Sequence, residues 1–461
     1  MPVATSSPPL ADRAARVLPA SVAARARRRW PAALVGLTVL VVCVPAGDKD
    51  VSASVHVTPA DIGTLGIVVA AVLRARTGAR LPRSRLWYAV GAVVAALGVS
   101  TVVSIDPTGS LAGFVRYVQL FVLVPVAVVL LLRDRVDLAL VCGAVLATAA
   151  FEGAVGTWQY LSGGGASFAG EDVRAVGTFG ALDIMAMASV VGSGLVVAVG
   201  LALVLRGRHR VYLLALAACL VAPLLFSFSR GTLIATVAAV VVMLFVASPR
   251  LAVRSVVFGL AGAIVAGAMV GGASSGIAAR VGSIASSVGR PDASVSDRYD
   301  LWHAALAMWQ DYPVSGVGLK EFAYYRDAYA PLSLSSGSDV ADPSLGFQRE
   351  PLLSPHNMYL LVLSEQGALG LAALLALLVG LAVLTIRRTV AVRDGAGPPD
   401  ARRPDGRLIS VAAVGIVTRI LVDFVSSDIG GPSTVLMSIL LGLAVWWAVS
   451  PDHAQATGPP R

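Results

Sequence analysis

Runs of apolar residues recur along the whole chain, and they constrain its fold more than any other feature. They lie at approximately 31–46, 58–73, 86–104, 111–132, 137–157, 181–205, 211–228, 232–248, 251–272, 355–386, 408–426 and 433–449. A helix needs about 20 mostly apolar residues to cross the hydrocarbon core of a bilayer. In lipid every backbone N–H and C=O must be satisfied within the spanning structure, so such runs are read as helices. The first two are short and are read as tilted or partly interfacial. The tenth is too long for one crossing, so its first turns are expected to project from the membrane or lie along its surface. Charged residues make up 14% of the chain, against about 25% in soluble domains. The mean hydropathy is +0.79. The expected fold is an all-α integral membrane protein with about 12 transmembrane helices. This excludes a secreted disulfide scaffold, a nucleic-acid-binding domain and a cytosolic α/β enzyme.

The formal charge of +9 is not a nucleic-acid signal, because the basic residues flank the apolar runs instead of sharing one soluble face. Twenty-five of the 36 Lys and Arg residues lie in the N-terminal tail, 74–85, 133–136, 206–210, 249–254, 387–407 and the C-terminal tail. The other short connections hold Lys49, Arg174 and Arg230. Basic connections mark the cytoplasmic side. Both termini are therefore expected in the cytoplasm, and the segment 273–354 outside. The chain divides into a basic tail (1–30), spans one to nine (31–272), a large external loop (273–354), spans ten to twelve (355–449) and a C-terminal tail (450–461). Arg25, Arg27, Arg28 and Arg29 before a short apolar run resemble a signal peptide, but further spans follow at once, so an uncleaved first helix is expected. Cys43, Cys142 and Cys219 sit inside apolar runs without metal-ligand spacing and are read as buried, inert thiols.

Several ionisable residues fall within spans. Among them Arg116, Glu152, Arg419 and Asp423 lie toward the outer ends of their helices. Charges in a bilayer are costly and usually face a bundle interior or a wet cavity. Arg419 and Asp423, four residues apart, can simply pair, and Arg116 can snorkel outward. Their shared bias also fits a polar vestibule opening to the exterior.

The external segment carries Ser296-Asp297-Arg298-Tyr299-Asp300-Leu301-Trp302, an amphipathic helix running through Trp309, and a turn Asp311-Tyr312-Pro313-Val314-Ser315-Gly316-Val317-Gly318. Trp302 and Trp309 suit a helix at the membrane interface. Leu332–Asp342, rich in Ser and Gly, is expected as a mobile loop. Pro355-His356-Asn357 then leads into the tenth span, with Glu365-Gln366-Gly367 further along.

Four stretches resemble the bacterial O-antigen ligase and polysaccharide polymerase family, membrane enzymes that move glycans linked to polyprenyl diphosphate. They are Val173-Arg174-Ala175-Val176-Gly177-Thr178-Phe179-Gly180, Phe228-Ser229-Arg230-Gly231, Arg298…Trp302…Pro313…Gly316-Val317-Gly318, and Pro355-His356-Asn357…Tyr359-Leu360…Glu365-Gln366-Gly367. The resemblance covers roughly residues 110–445. One departure is Ala181-Leu182-Asp183, where many relatives carry Asn-Pro-Asn or His-Pro-Asn. The resemblance implies a GT-C-like helical architecture and a glycosyltransferase in surface polysaccharide biosynthesis in the cytoplasmic membrane. It also implies chemistry without metal or other cofactor, inversion at the anomeric carbon, and Arg230, Arg298 and His356 as the essential set.

The residue types suit that chemistry. Glycosyl transfer from a lipid diphosphate needs charge stabilisation on the departing phosphates and a base near the acceptor hydroxyl. Guanidinium groups bind phosphate oxygens bidentately, and preorganised charge is usually the largest catalytic contribution. Arg174, Arg230 and Arg298 all fall on outer connections. His356 titrates in the range of a general base, and it can equally hydrogen-bond a phosphate. Arg174, Arg116, Glu365 and Trp302 are candidate contacts to the diphosphate or glycan. Glu365 can orient His356 or cap a neighbouring element. Bland readings stand beside these: Arg230 as an interface anchor, Arg298 paired with Asp297 or Asp300, Arg174 with Glu171 or Asp172, His356 as a cap. Trp158-Gln159-Tyr160 is read as part of an interfacial belt. The expected partners are the lipid-linked donor, a glycan, lipid or wall-polymer acceptor, and the bilayer, but no nucleic acid.

Two other functions remain open. Asp48-Lys49-Asp50 in the first external connection can bind a divalent cation, as in metal-dependent lipid-linked glycosyltransferases. A twelve-helix transporter or flippase is the second, although such proteins tend to show related halves and midplane binding residues, and no internal repeat is evident here.

Overall fold

Polar side chains and prolines mark where the helices begin. The computed structural model describes residues 20–44, 58–168, 173–180, 183–255, 293–334, 338–342, 346–350, 352–396 and 407–449. Its first helices are α1 (Ala20–Val41), α2 (Pro59–Arg76), α3 (Leu86–Val103), α4 (Pro107–Leu131) and α5 (Arg135–Ser162). Thr58 and Asp61 form a capping box at α2: the Asp61 N–H donates to Thr58 Oγ1 at 3.2 Å, and the Thr58 N–H donates to Asp61 Oδ2 at 3.0 Å. Such reciprocal bonds satisfy donors that a helix start leaves open. The Asp134 side chain caps α5, and Gly163 ends it at φ 72°, the left-handed conformation that glycine adopts without a Cβ penalty. Helix α4 contains one wide, π-helical turn at Gln119–Leu123, shortly before Pro125.

Strand β1 (Ser167–Phe168) and a 3₁₀ turn (Gly177–Phe179) precede α6 (Ile184–Val204), α7 (Arg208–Phe226) and α8 (Arg230–Ala247). The segment 273–354, expected outside, supplies α9 (Ala293–Asp311), α10 (Phe322–Tyr329), β2 (Ser338–Asp342) and β3 (Gly346–Glu350). Helices α11 (Met358–Arg393), α12 (Ser410–Asp423) and α13 (Ser433–Val449) follow.

The chain is mostly helical and multi-pass, as its apolar runs predict. Among the described residues, seven helices are long and apolar enough to cross a membrane: α3, α4, α5, α6, α7, α8 and α11. Four of the other expected spans coincide with α1, α2, α12 and α13. Charge or length sets these apart: α2 carries Asp61, Arg74 and Arg76, and α12 has only 14 residues, with Arg419 and Asp423 among them. Beyond residue 255 the ninth expected span, 251–272, lies outside the described residues, as do most of the tails and the Asp48-Lys49-Asp50 motif.

Small residues let the helices approach closely. A Cβ added at Gly200 of α6 would stand 2.5 Å from Ala412 Cα of α12, and one at Gly442 of α13 would stand 2.7 Å from Val128 Cβ of α4. Backbone proximity of this kind is typical of helix contacts within membranes. Apolar side chains such as Ile62, Leu65, Val221 and Ile234 point outward, as lipid-facing positions require. Cys142 is buried, but Cys43 is partly exposed and Cys219 exposed, which corrects the expectation that all three thiols are buried: the apolar run predicts an apolar environment, and an outward helix face supplies that equally.

Two features of the connections depart from expectation. The stretch 332–342, expected as a mobile loop, contributes β2, the central strand of a small antiparallel sheet ordered β1-β2-β3. Ser167 pairs with Ala341 and Val340 with Gln348, so the sheet joins two connections that lie far apart in sequence. In α11, Gly367 has φ 66° and ψ −166°, which interrupts the helix. The turn 313–318 repairs the interruption. The Val317 and Gly318 N–H groups donate to the Ser364 and Glu365 carbonyls at 2.9 and 3.0 Å, and the Ala368 N–H donates to the Pro313 carbonyl at 2.8 Å. The expected interfacial helix is α9. Its Leu301, Ala304, Ala305 and Met308 are buried in a small core with Val317, Phe322 and Leu352, so its apolar face serves the protein.

Candidate active site

The start of α11 is built onto the end of α12. The Met358 N–H donates to the Phe424 and Ser427 carbonyls at 2.9 and 3.0 Å, and the Tyr359 hydroxyl to the Leu421 carbonyl at 2.6 Å. Asn357 caps α11 by accepting from the Tyr359 and Leu360 N–H groups at 3.0 and 3.1 Å. His356, one residue earlier, stands in the connection ahead of the span with φ 48°. A bulky residue in the left-handed region costs about 1–3 kcal/mol and persists where surroundings enforce it, often at functional sites. Here the enforcing contacts are on both sides. Trp302 Nε1 donates to the Pro355 carbonyl at 2.9 Å, and Ser354 Oγ, which donates to Asp428 Oδ2, accepts the His356 N–H at 3.3 Å.

A cavity of about 290 Å³ opens beside His356. Arg174, Arg298 and His356, drawn from three separate connections or helices, all line it, with Arg419 on its wall. So do four carboxylates, Asp183, Asp297, Asp423 and Asp428. Burial pushes the His356 imidazole below its ordinary value of 6.5; the Asp428 carboxylate opposes that shift and the Arg298 guanidinium adds to it. The imidazole is therefore neutral near pH 7, the form that accepts a proton.

Arg419 and Asp423 do pair, with Nη2 and Oδ2 3.7 Å apart, and Arg419 also donates to Ser189 Oγ at 3.1 Å. The pairing leaves Arg419 Nε and Asp423 Oδ1 buried with no hydrogen-bond partner among the described residues. Buried polar atoms are nearly always satisfied by protein, water or ligand, so this wall is suited to a polar guest.

The other expected site residues lie around this centre. Arg174 is held by its backbone, whose N–H and carbonyl pair with Ala166 at 2.7 and 3.0 Å. The loop that follows is fastened to α5. Gln159 Oε1 accepts from the Val176 and Gly177 N–H groups at 3.1 and 2.8 Å, and Glu152 accepts from the Thr178 N–H and hydroxyl at 3.0 and 2.6 Å. Arg116 is ion-paired to Asp61, and its Nη2 donates to the Gly431 carbonyl and Thr434 Oγ1 at 3.3 and 3.1 Å. It thus holds a wall of the cavity from behind. Arg230 is the first residue of α8 and is exposed, not among the residues that line the cavity. Glu365 is buried apart from it, accepting the Phe322 N–H at 3.3 Å and placed where α11 meets the turn 313–318. Trp302 supports the His356 connection through its indole N–H. Tyr160 of the Trp158-Gln159-Tyr160 run stacks on Phe226 at 4.1 Å.

Sequence reasoning passed over Asp428 and Ser354. The one available signal was position: Asp428 is an acidic residue in the short connection between the last two spans, on the same side as the arginines. Among the described residues no three His, Cys, Asp or Glu side chains are grouped as metal ligands.

A polytopic, mostly helical membrane protein with a polar cavity at one end of its bundle is the class that fold and site define. Comparison with protein families adds one finding: residues 214–375 match the O-antigen ligase family model. This is the family that the four sequence stretches resemble. The matched segment includes Arg230, Arg298, Trp302, His356 and Glu365; Arg116 and Arg174 precede it. A search of curated proteins finds no match.

Proposed function

We propose that the chain is a glycosyltransferase that moves a glycan from a polyprenyl diphosphate carrier to an acceptor hydroxyl at the outer face of the cytoplasmic membrane. The observation that carries this reading is the convergence of Arg174, Arg298 and His356 on one cavity. Arg174 and Arg298 bind the diphosphate oxygens and stabilise the charge that grows on them. Neutral His356 takes the proton of the acceptor hydroxyl as that oxygen bonds to the anomeric carbon. The bond from that carbon to the phosphate oxygen breaks in the same displacement, and the diphosphate leaves with the electron pair. Configuration inverts. Arg230, exposed at the mouth of its helix, meets the donor outside the cavity, and Arg116, Trp302 and Glu365 act by holding the walls. Both termini lie in the cytoplasm, with 273–354 outside.

The test is glycan transfer in reconstituted vesicles with a polyprenyl-diphosphate oligosaccharide donor, with and without chelator. The parent chain is compared with Arg230→Ala, Arg298→Ala, His356→Ala and the double change Asp48→Asn/Asp50→Asn. Chelator-resistant transfer that is lost in the first three variants is the expected result. Transfer abolished by chelator and by the aspartate change places the chemistry in the first connection instead. A folded parent that transfers nothing returns the chain to the transporter reading.

A further inference from the structure

Helix α9 has two functional faces. Asp297, Arg298 and Leu301 face the cavity. Residues 300, 303, 307 and 310 fall on the opposite side, since each residue advances about 100° around a helix. There they line a separate surface hollow of about 500 Å³ with Tyr329 and Pro331 from the end of α10.

Two polar groups of this hollow, Asp300 and Tyr329, are fixed in place. Ser333 Oγ donates to Asp300 Oδ2 at 2.8 Å, and the Tyr329 hydroxyl donates to Asp311 Oδ2 at 2.6 Å. The bond to Asp311 pushes the Tyr329 hydroxyl up to about 12, so it stays a donor at any physiological pH. Tyrosines are concentrated beside it: Tyr312, Tyr324, Tyr325 and Tyr329 are four of the ten in the chain. Tyr312, Tyr324 and Tyr329 surround Tyr325, with ring centroids 6.2, 5.4 and 6.3 Å from its own, and Tyr324 is 73% exposed. Partly exposed tyrosine rings beside carboxylate, amide and hydroxyl groups match a ring that is apolar on its faces and hydroxylated at its edge. Asp300, Asp311 and Asp327 make the surroundings acidic, with Arg326 already paired to Asp327 at 2.7 Å. Acidic surroundings disfavour phosphate, uronate and an anionic lipid surface alike.

We propose that this hollow is a second glycan site, which holds an uncharged sugar unit of the lipid-linked chain some units beyond the diphosphate. The inference rests on the glycosyltransferase reading above and adds to it a length and charge preference for the donor. Because α9 separates hollow from cavity, only glycan that extends beyond the cavity and around α9 reaches the hollow, and the multi-repeat fraction carries the most such glycan.

The probe is the lipid-linked glycan that accumulates in source cells deleted for this chain, sorted into single-repeat and multi-repeat fractions. The chain or its His303→Ala/Gln310→Ala variant, altered only at exposed positions, is returned to those cells, and consumption of each fraction is followed. The expected result is slower consumption of the multi-repeat fraction by about tenfold, the scale of two lost hydrogen bonds, with the single-repeat fraction unchanged. In parallel, glycan freed from its lipid by mild acid is tested for saturation transfer from the purified protein, and the signal is expected to disappear in the variant. Equal consumption of both fractions by variant and parent, equal slowing of both, or undiminished saturation transfer overturns the proposal. Failure of the parent chain to consume either fraction instead overturns the glycosyltransferase reading.

Discussion

Gly316→Ala tests whether the joint between α9 and α11 holds the site together. Gly316 is buried, with φ 68°, and a Cβ there would stand 2.3 Å from the Glu365 carbonyl carbon and 2.4 Å from the Gln366 nitrogen. Both neighbours are backbone atoms of α11 and cannot rotate away. A left-handed alanine costs about 1–2 kcal/mol and overpacking about 1–3 kcal/mol, so the substitution destabilises by about 2–5 kcal/mol. The strain falls on the bonds from Val317 and Gly318 to the Ser364 and Glu365 carbonyls. In detergent, the thermal midpoint is expected to drop by about 2–5 °C, with new proteolytic cleavage in 313–320 and loss of transfer. Gly91→Ala in α3 is the control, because a Cβ there meets nothing within 4 Å. An unchanged midpoint for Gly316→Ala, or equal drops for both variants, would refute the close approach and the role given to it.

Four further outcomes follow from the site. Because burial lowers the His356 value, transfer should hold below pH 6.5 and fall at lower pH; Asp428→Asn should move this acidic limb further down, and a pH–rate series in which the limb moves up would remove His356 as the base. Folding stability should also decline below pH 6.5, since the unfolded chain takes up the imidazole proton first. Trp302→Phe keeps the ring but loses the bond to the Pro355 carbonyl, about 1 kcal/mol; single-turnover assays should show slower transfer at normal protein levels. Gln159→Leu leaves the Val176 and Gly177 N–H groups without their acceptor at a cost of about 1–3 kcal/mol, which should open 173–180 to protease and weaken donor binding through Arg174.

The helices were legible because each level of the sequence agrees. Thr58 with Asp61, Asp134 and Asn357 cap runs whose apolar content already demands helix, and Gly163 ends one of them. Cavity membership was partly legible: Arg174, Arg298 and His356 stand in motifs, and all three line one space. Asp428 was not, because its role depends on how α11 and α12 meet, which no local pattern encodes. Glu365 lies in a motif, but its carboxylate and carbonyl serve a joint that forms only when the turn 313–318 repairs the interruption at Gly367. The strands escaped notice for a similar reason. Ser338–Asp342 has no marked alternation, and its partners are a two-residue strand 170 positions earlier and a short hairpin arm.

The wide turn at Gln119–Leu123 has a consequence for chain length. It accommodates one residue more than a regular helix would over the same rise. Deleting one residue there restores α-helical winding with little change in rise or phase, so Pro107–Val118 keeps its orientation relative to Val124–Leu131 and Arg116 keeps its bonds to Gly431 and Thr434. The same loss from the regular winding of Val124–Leu131 has no extra residue to draw on and turns everything before it, Arg116 included, by about 100°. A frame-preserving loss of a single codon is therefore tolerated in this turn and silences the site one turn later, without touching one residue that lines the cavity.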